Sequence, residues 1–302
     1  MTPRIFGVDY TFLACGDVFT RGLEHAAAAL SVSYAHAAWN TDDLATRILA
    51  FKPDLVLVVH GRKFAAQWTI PSVCPKAVWL LDEPYEVDDT ASWSGRFDHV
   101  FVNDQATLDR HQHAAVLPVC YDPRTHYGTD AARDYRVGFI GGGNATRDRY
   151  LAALAAAGLL DYVVGGSWQS EAVQRKSIGG NCAPDTTASL YRRSQIIVNV
   201  FRERHHFNAR QTVATAMNPR IYEALACGAL VVSEWRPEIA AVVPELPTFA
   251  SEAEAVDLVR WLLAHPKEAE ETRKLCTARL EGHTYAARLE TVLATVGQAV
   301  TA

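Results

Sequence analysis

The chain is poor in the features that mark several large protein classes. Its six cysteines, Cys15, Cys74, Cys120, Cys182, Cys227 and Cys276, are scattered, with no Cys-x-x-Cys and no paired metal-ligand spacing. That usage points to a reduced, cytoplasmic setting and to no metal site. No apolar run approaches the ~20 residues that a membrane span needs. The N-terminus passes from Met1-Thr2-Pro3-Arg4 into a short apolar segment broken by Asp9, so neither a leader nor a span is expected. Gly-x-Ser-x-Gly elbows, Walker loops and His-Glu-x-x-His helices are missing, which excludes the usual serine hydrolases, P-loop enzymes and zincin proteases. The formal net charge of -5 gives no overall pull toward nucleic acid or anionic membrane, although a local basic patch is compatible with it. Solenoid repeats and low-complexity tracts are absent as well.

What is present is an alternating α/β pattern. With 302 residues and 49% hydrophobic content, the chain can form two domains. Ile5-Phe6-Gly7-Val8 predicts a strand, Asp17 to Leu30 a helix, and Ser31 to Ala35 a second strand. Thr41-Asp42-Asp43-Leu44 opens a helix by capping chemistry, and the apolar run Leu55 to Val59 is of strand length. Ala77 to Leu81 and His99 to Val102 continue the series, each followed by polar residues. Runs apolar on both faces and spaced by helices imply a parallel sheet covered on both sides. The segment Cys120 to Asp134 has no clear period and marks the domain boundary. A second series follows: Val137 to Ile140, a turn at Gly141 to Asn144, a helix from Thr146 to Ala157, then strands at Tyr162 to Val164 and Ile196 to Val200. The expected domains are 1–125 and 126–282, with 283–302 a C-terminal helix that packs back on the first. From Glu252 the tail reads as helical, with Pro266 opening a helix and Gly282 breaking one.

The most informative stretch is Asn218-Pro219-Arg220-Ile221-Tyr222-Glu223-Ala224-Leu225-Ala226-Cys227-Gly228, followed by the apolar run Ala229 to Val232. Asn218 suits an N-cap, Pro219 the first helical turn and Gly228 the stop. A helix N-terminus attracts anions, and here it carries a guanidinium at Arg220. Glu223 lies one turn further along the same face. Arginine for phosphate and carboxylate for vicinal hydroxyls suit a sugar-bearing nucleotide.

Gly141-Gly142-Gly143 sits between strand and helix, where backbone N–H groups can approach a pyrophosphate, with Arg147 and Arg149 just beyond. The turn departs from the Gly-x-Gly-x-x-Gly fingerprint because Thr146 takes its last position, so nicotinamide or flavin binding loses its support. A plain strand–helix turn is the alternative. Arg192, Arg193, Arg202, Arg204, Arg210 and Arg220 face the single acid Glu203 between them, an excess that calls for an anion, though part of it can be a solvated face. His205 and His206 beside Glu203 lack a further spaced ligand and read as loop residues. His60 ends one buried strand, and Asp82 and Glu83 end another. These three are the candidates for proton transfer, with helix capping or loop anchoring as the alternative. Asp9 and Asp17 are weaker candidates.

Together, Val137-Gly138-Phe139-Ile140-Gly141, Tyr191, the Asn218 to Gly228 stretch and His283-Thr284-Tyr285-Ala286-Ala287-Arg288-Leu289 resemble the spore maturation protein B (CgeB-like) glycosyltransferases. Trp79-Leu80-Leu81-Asp82-Glu83-Pro84 and Phe97 to Phe101 add a looser likeness in the first half. The resemblance implies the GT-B architecture, two Rossmann-like domains facing across a cleft, and a hexosyl- or pentosyltransferase that uses a nucleotide-diphosphate sugar as donor. It implies Glu223 on the ribose, Arg220 and Arg147 near the diphosphate, and the loop from Gly165 to Trp168 near the base. Gly141, Gly142, Asn199 and Asn218 complete the expected donor site, and the first domain takes the acceptor. No cofactor and no catalytic metal are expected, in keeping with the lack of an Asp-x-Asp motif. The acceptor, a saccharide, a protein or a modified DNA base, and the oligomeric state are left open. A binding module without transfer activity and a sugar-phosphate epimerase are the remaining alternatives.

Overall fold

In the computed structural model, residues 2–9, 16–60, 73–130, 132–202 and 207–301 are described. Cys15, Glu203, Arg204, His205 and His206 lie outside them. The chain divides into two compact units. The first comprises Met1–Val119, Arg204–Ala216 and Thr284–Ala302, and the second Cys120–Glu203 and Met217–His283.

In the first unit, β1 (Arg4–Asp9), β2 (Ser33–Ala38), β3 (Leu55–Val59), β4 (Lys76–Leu80), β5 (His99–Val102) and β6 (Ala114–Val116) form a parallel sheet in the order β2-β1-β3-β4-β5-β6. Every residue of β3 is buried, as a strand covered on both faces requires. Helices α1 (Gly16–Ala29), α2 (Leu44–Phe51) and α3 (Val87–Trp93) lie between the strands. Two local expectations shift. Ser31 adopts a left-handed conformation (φ 55°) to close α1, so β2 starts at Ser33 and runs on to Ala38. Asp43 precedes α2 without capping it, because its carboxylate pairs with Arg47 at 2.8 Å.

Two later parts of the chain complete this unit. Helix α11 (Tyr285–Thr301) rests on α1, where Gly22 leaves room for the Tyr285 ring against Phe19 and Trp79. Its Arg288 donates to the Pro118 carbonyl at 2.8 Å. Residues 207–216 are held by two carboxylates. Asp88 accepts from Ala209 N at 2.5 Å, and the fully buried Asp104 accepts from Thr215 N at 2.7 Å, Ala216 N at 3.0 Å and the Thr215 hydroxyl.

The second unit carries β7 (Tyr135–Ile140), β8 (Tyr162–Val164), β9 (Ser177–Gly179), β10 (Ser194–Asn199), β11 (Leu230–Glu234) and β12 (Thr248–Phe249) in the order β12-β11-β10-β7-β8-β9, again parallel. Counted within the unit this is 6-5-4-1-2-3, the doubly wound order whose direction reverses between β7 and β10. Its helices are α4 (Ala145–Ala156), α5 (Glu171–Gln174), α6 (Pro184–Arg192), α7 (Pro219–Ala226), α8 (Pro237–Val242), α9 (Glu252–Ala264) and α10 (Pro266–Ala278). The core packs Phe139, Leu151, Val163 and Val198 against Val232 and Val259. Gly228 ends α7 at φ 84° and Gly282 turns the tail at φ 80°, both as the sequence indicates.

Candidate functional site

Ligands of open parallel sheets bind beyond the strand C-termini where the strand order reverses. In the second unit that point lies between Ile140 and Asn199, and Arg220 spans it. Its Nε donates to the Ile140 carbonyl at 2.6 Å and its Nη1 to the Asn199 side-chain oxygen. The orientation of Asn199 follows from its neighbours. The Ser233 hydroxyl donates to the Glu234 carbonyl at 2.7 Å and therefore accepts from Asn199 Nδ2 at 2.8 Å. This turns Asn199 Oδ1 toward Arg220 and toward Asn218 Nδ2, 2.8 Å away. Asn199 is fully buried and acts as the mount of the guanidinium.

Arg147, in the first turn of α4, joins Arg220 at the same point. Its Nε donates to the Val200 carbonyl at 2.9 Å and its Nη1 to the Gly142 carbonyl at 2.8 Å. Both guanidinium carbons sit over the Phe139 ring, Arg220 at 4.7 Å and Arg147 at 5.6 Å from its centroid. Carbonyl oxygens, one amide oxygen and an aromatic floor thus hold two cations together at the switch point.

The Gly141 to Gly143 turn contributes less through its backbone than the sequence suggested. Gly141 N donates to Val164 O at 2.9 Å and Gly143 N to Gly166 O at 2.7 Å, so two of the three amides serve the end of β8 and its exit loop. Among the described residues none accepts from the exposed Gly142 N–H. The glycines are needed for close approach: a side chain at Gly141 would run into Arg220, and one at Gly165 (φ 121°) into the Gly141 carbonyl. Asn144 caps α4 by accepting from Arg147 N at 3.0 Å.

Asn218 does not cap α7 as expected. It has the extended N-cap backbone, but its side chain turns inward to Asn199, and its Oδ1 is buried without a partner among the described residues. The first turn of α7 is left without a side-chain cap, so the positive end of its dipole is not offset by one. Glu223 is buried, and no described residue donates to its carboxylate. Burial raises its pKa, opposed first by His126 and then by Arg220. Trp168 is buried edge-on to Phe139, with its indole N–H on the Gly165 carbonyl at 2.8 Å, and so shapes the loop rather than facing solvent.

The proton-transfer candidates occupy the first unit. His60 follows β3 at φ 68° and is buried at the end of the strand beside β1, where that sheet reverses its order. Asp82 is half-buried just past β4. Glu83 is 2% exposed: it takes the Thr90 hydroxyl at 2.5 Å, faces His111 Nε2 at 3.6 Å, and its backbone N–H bonds Asn103 at 3.0 Å. Sequence reasoning passed over Phe139, Arg236 and Glu238. Arg236 stacks 3.6 Å from the Phe201 centroid, while Glu238 takes Met217 N and the Tyr222 hydroxyl and so fixes the approach to α7. The rule applied to other strand ends would have found the last two, since they directly follow β11.

Comparisons with known proteins bear on the fold. Residues 147–294 match the profile of a family described as glycosyl transferase-like. No curated protein matches the chain. Among solved structures it is similar to an α-glucosyltransferase in complex with UDP and a 13-mer DNA containing an HMU base, with 11% identity, 98% of this chain and 100% of that one covered, and a TM-score of 0.68. An α,α-trehalose-phosphate synthase (UDP-forming) from Burkholderia vietnamiensis aligns with 11% identity, 98% of each chain covered and a TM-score of 0.62. The T4 phage BGT in complex with UDP and Mn2+ aligns with 10% identity, 98% and 99% covered, and a TM-score of 0.61. The fold is the GT-B glycosyltransferase fold.

Proposed function

We propose that the protein transfers a hexosyl or pentosyl group from a nucleotide-diphosphate sugar to a hydroxyl acceptor, with the second unit as donor domain. The observation that carries this reading is Arg220 spanning the β7/β10 switch point beside Arg147 and the uncapped start of α7. Two mounted guanidiniums and a helix N-terminus stabilise the diphosphate as negative charge grows on it. Glu223, one turn along, accepts the ribose hydroxyls, and the Gly165 to Trp168 loop borders the base. The sugar–phosphate C–O bond breaks with its electron pair leaving on the nucleoside diphosphate, and the acceptor oxygen bonds the anomeric carbon. The acceptor proton goes to His60 or Asp82 if configuration inverts, or to the departing phosphate if it is retained. Glu83, engaged by Thr90 and His111, supports this edge of the first unit, to which we assign the acceptor.

With arginines carrying the diphosphate, transfer proceeds without a catalytic metal or another cofactor, so it persists in a chelator. The CgeB-like motifs and the scattered cysteines make a cytoplasmic enzyme of that subgroup the specific form of the proposal. A modified base in DNA is a second acceptor reading, favoured by the DNA-bound α-glucosyltransferase similar to this chain. DNA binding that neutralises several phosphates would weaken steeply with salt. The test is a thermal-shift panel of nucleoside diphosphates and their sugars, because a ligand bound by the folded state alone raises the midpoint. A midpoint raised by one base series, followed by turnover of that donor, supports the reading; a flat panel overturns it.

A further inference from the structure

We propose that Trp235 is a platform on which the sugar of the donor stacks, so that the site favours a pyranosyl group with an apolar ring face. The proposal rests on the second unit as donor domain. Trp235 is 59% exposed, whereas Trp79, Trp93 and Trp168 are buried, and the exposed Trp261 stacks on the His265 ring with centroids 4.4 Å apart. Among the described residues Trp235 has no ring partner and no hydrogen bond. A single exposed apolar side chain needs no explanation by itself. The mounting and the place of this one supply it.

The residues on either side of Trp235 are tied to the end of β10. Ser233 pairs in register with Asn199 and accepts from its Nδ2 at 2.8 Å. The Glu234 carboxylate accepts from Phe201 N at 2.6 Å, and the Arg236 guanidinium carbon lies 3.6 Å from the Phe201 ring centroid. Pro237 then opens α8. With both neighbours held, the backbone of Trp235 has little freedom, and its indole stands past the C-terminal end of β11. Its Cα is two residues, at most about 7 Å, from that of Ser233. Ser233 in turn holds the Asn199 side chain that mounts Arg220.

A nucleotide-diphosphate sugar is a linear series of base, ribose, diphosphate and sugar. With the base bordered by the loop after β8 and the diphosphate at the β7/β10 switch point, the series runs along the sheet edge past β8, β7 and β10, and the next strand is β11. The sugar then comes to the strand end that carries Trp235. The chemistry of the indole suits it. A pyranose ring turns C–H groups to one face, which meet the electron-rich face of an aromatic ring, while its hydroxyls stay at the rim. A diphosphate has no such face. Trp235 should therefore act on nucleotide sugars and not on nucleoside diphosphates.

The test compares one nucleotide sugar with its parent nucleoside diphosphate by calorimetry, using whichever glucose, galactose, mannose or xylose conjugate of UDP, GDP, ADP or CDP gives the largest thermal shift. Trp235→Ala is expected to weaken the nucleotide sugar about tenfold and leave the diphosphate within about twofold, while Trp235→Phe, which keeps an aromatic face, stays within about threefold for both. In the wild type, tryptophan emission should move to shorter wavelength with the nucleotide sugar beyond any change with the diphosphate. Equal weakening of both ligands in Trp235→Ala, weakening of neither, or identical wild-type emission with the two ligands overturns the platform, and the last readout needs no variant to fold. Absence of binding by every probe instead overturns the donor-domain reading, and the platform with it.

Discussion

The two units present the same kind of sheet edge and furnish it differently. At the end of β5 in the first unit, the buried Asp104 takes four hydrogen bonds, from Ala106 N and from the returning residues Thr215 and Ala216, so its carboxylate serves the fold. Glu83 after β4 is engaged on one oxygen only: Oε1 takes the Thr90 hydroxyl, while Oε2 is buried 3.6 Å from His111 Nε2 without a hydrogen-bond partner among the described residues. In the second unit the groups at the β7 and β10 ends include two guanidiniums that donate to carbonyls, Asn218 Oδ1 is unpartnered among the described residues, and no described residue donates to Glu223. A common rim position is therefore no guide to function by itself.

The comparison can be broken by substitution, starting with the largest expected effect. Asp104→Ala leaves several buried N–H groups unmatched and should destabilise the protein by about 4 kcal/mol while leaving donor affinity within twofold. Denaturant unfolding and calorimetry measure the two quantities. Gly165→Ala drives a side chain into the Gly141 carbonyl at a positive φ, costing about 3 kcal/mol and weakening the donor as well. Arg220→Gln should lower kcat/KM about 100-fold. Asn199→Ala, acting through Arg220, should cost about tenfold; equal losses for a nucleoside and its diphosphate would count against the diphosphate role of both residues.

The smallest expected effect belongs to the first unit. Hydrogen bonding to Asp9 raises the His36 pKa, burial opposes it, and Glu24 adds to the rise. A raised native value means that the stabilisation is complete below about pH 6.5, the unfolded value, and is lost as pH rises through the native value. With His36 about one-third exposed, the expected loss is a melting midpoint lower by about 2 °C above that window. Asp9→Asn should reduce this dependence, leaving the smaller part due to Glu24, without altering donor affinity.

The sequence revealed most where local chemistry decides. Strands such as Leu55 to Val59 are apolar on both faces because helices cover both, and α7 carries its start, its stop and the Arg220–Glu223 pair within eleven residues. It revealed least where a partner lies far along the chain. Asp104 meets Thr215 across 111 positions, and Asn218 turns to Asn199 rather than to its own helix, which no capping rule foresees. The Gly141 to Gly143 turn shows the same limit: its glycines were legible, but the use of two amides by Val164 and Gly166 depends on the path of the β8 exit loop.

Calorimetric titration of the matching nucleotide sugar into the wild type, Arg220→Gln and Asp104→Ala tests the central claim most directly. Saturable binding that is lost in Arg220→Gln and kept in Asp104→Ala is the predicted result. Equal affinity in the wild type and Arg220→Gln would contradict the assignment of the second unit's switch point as the donor site.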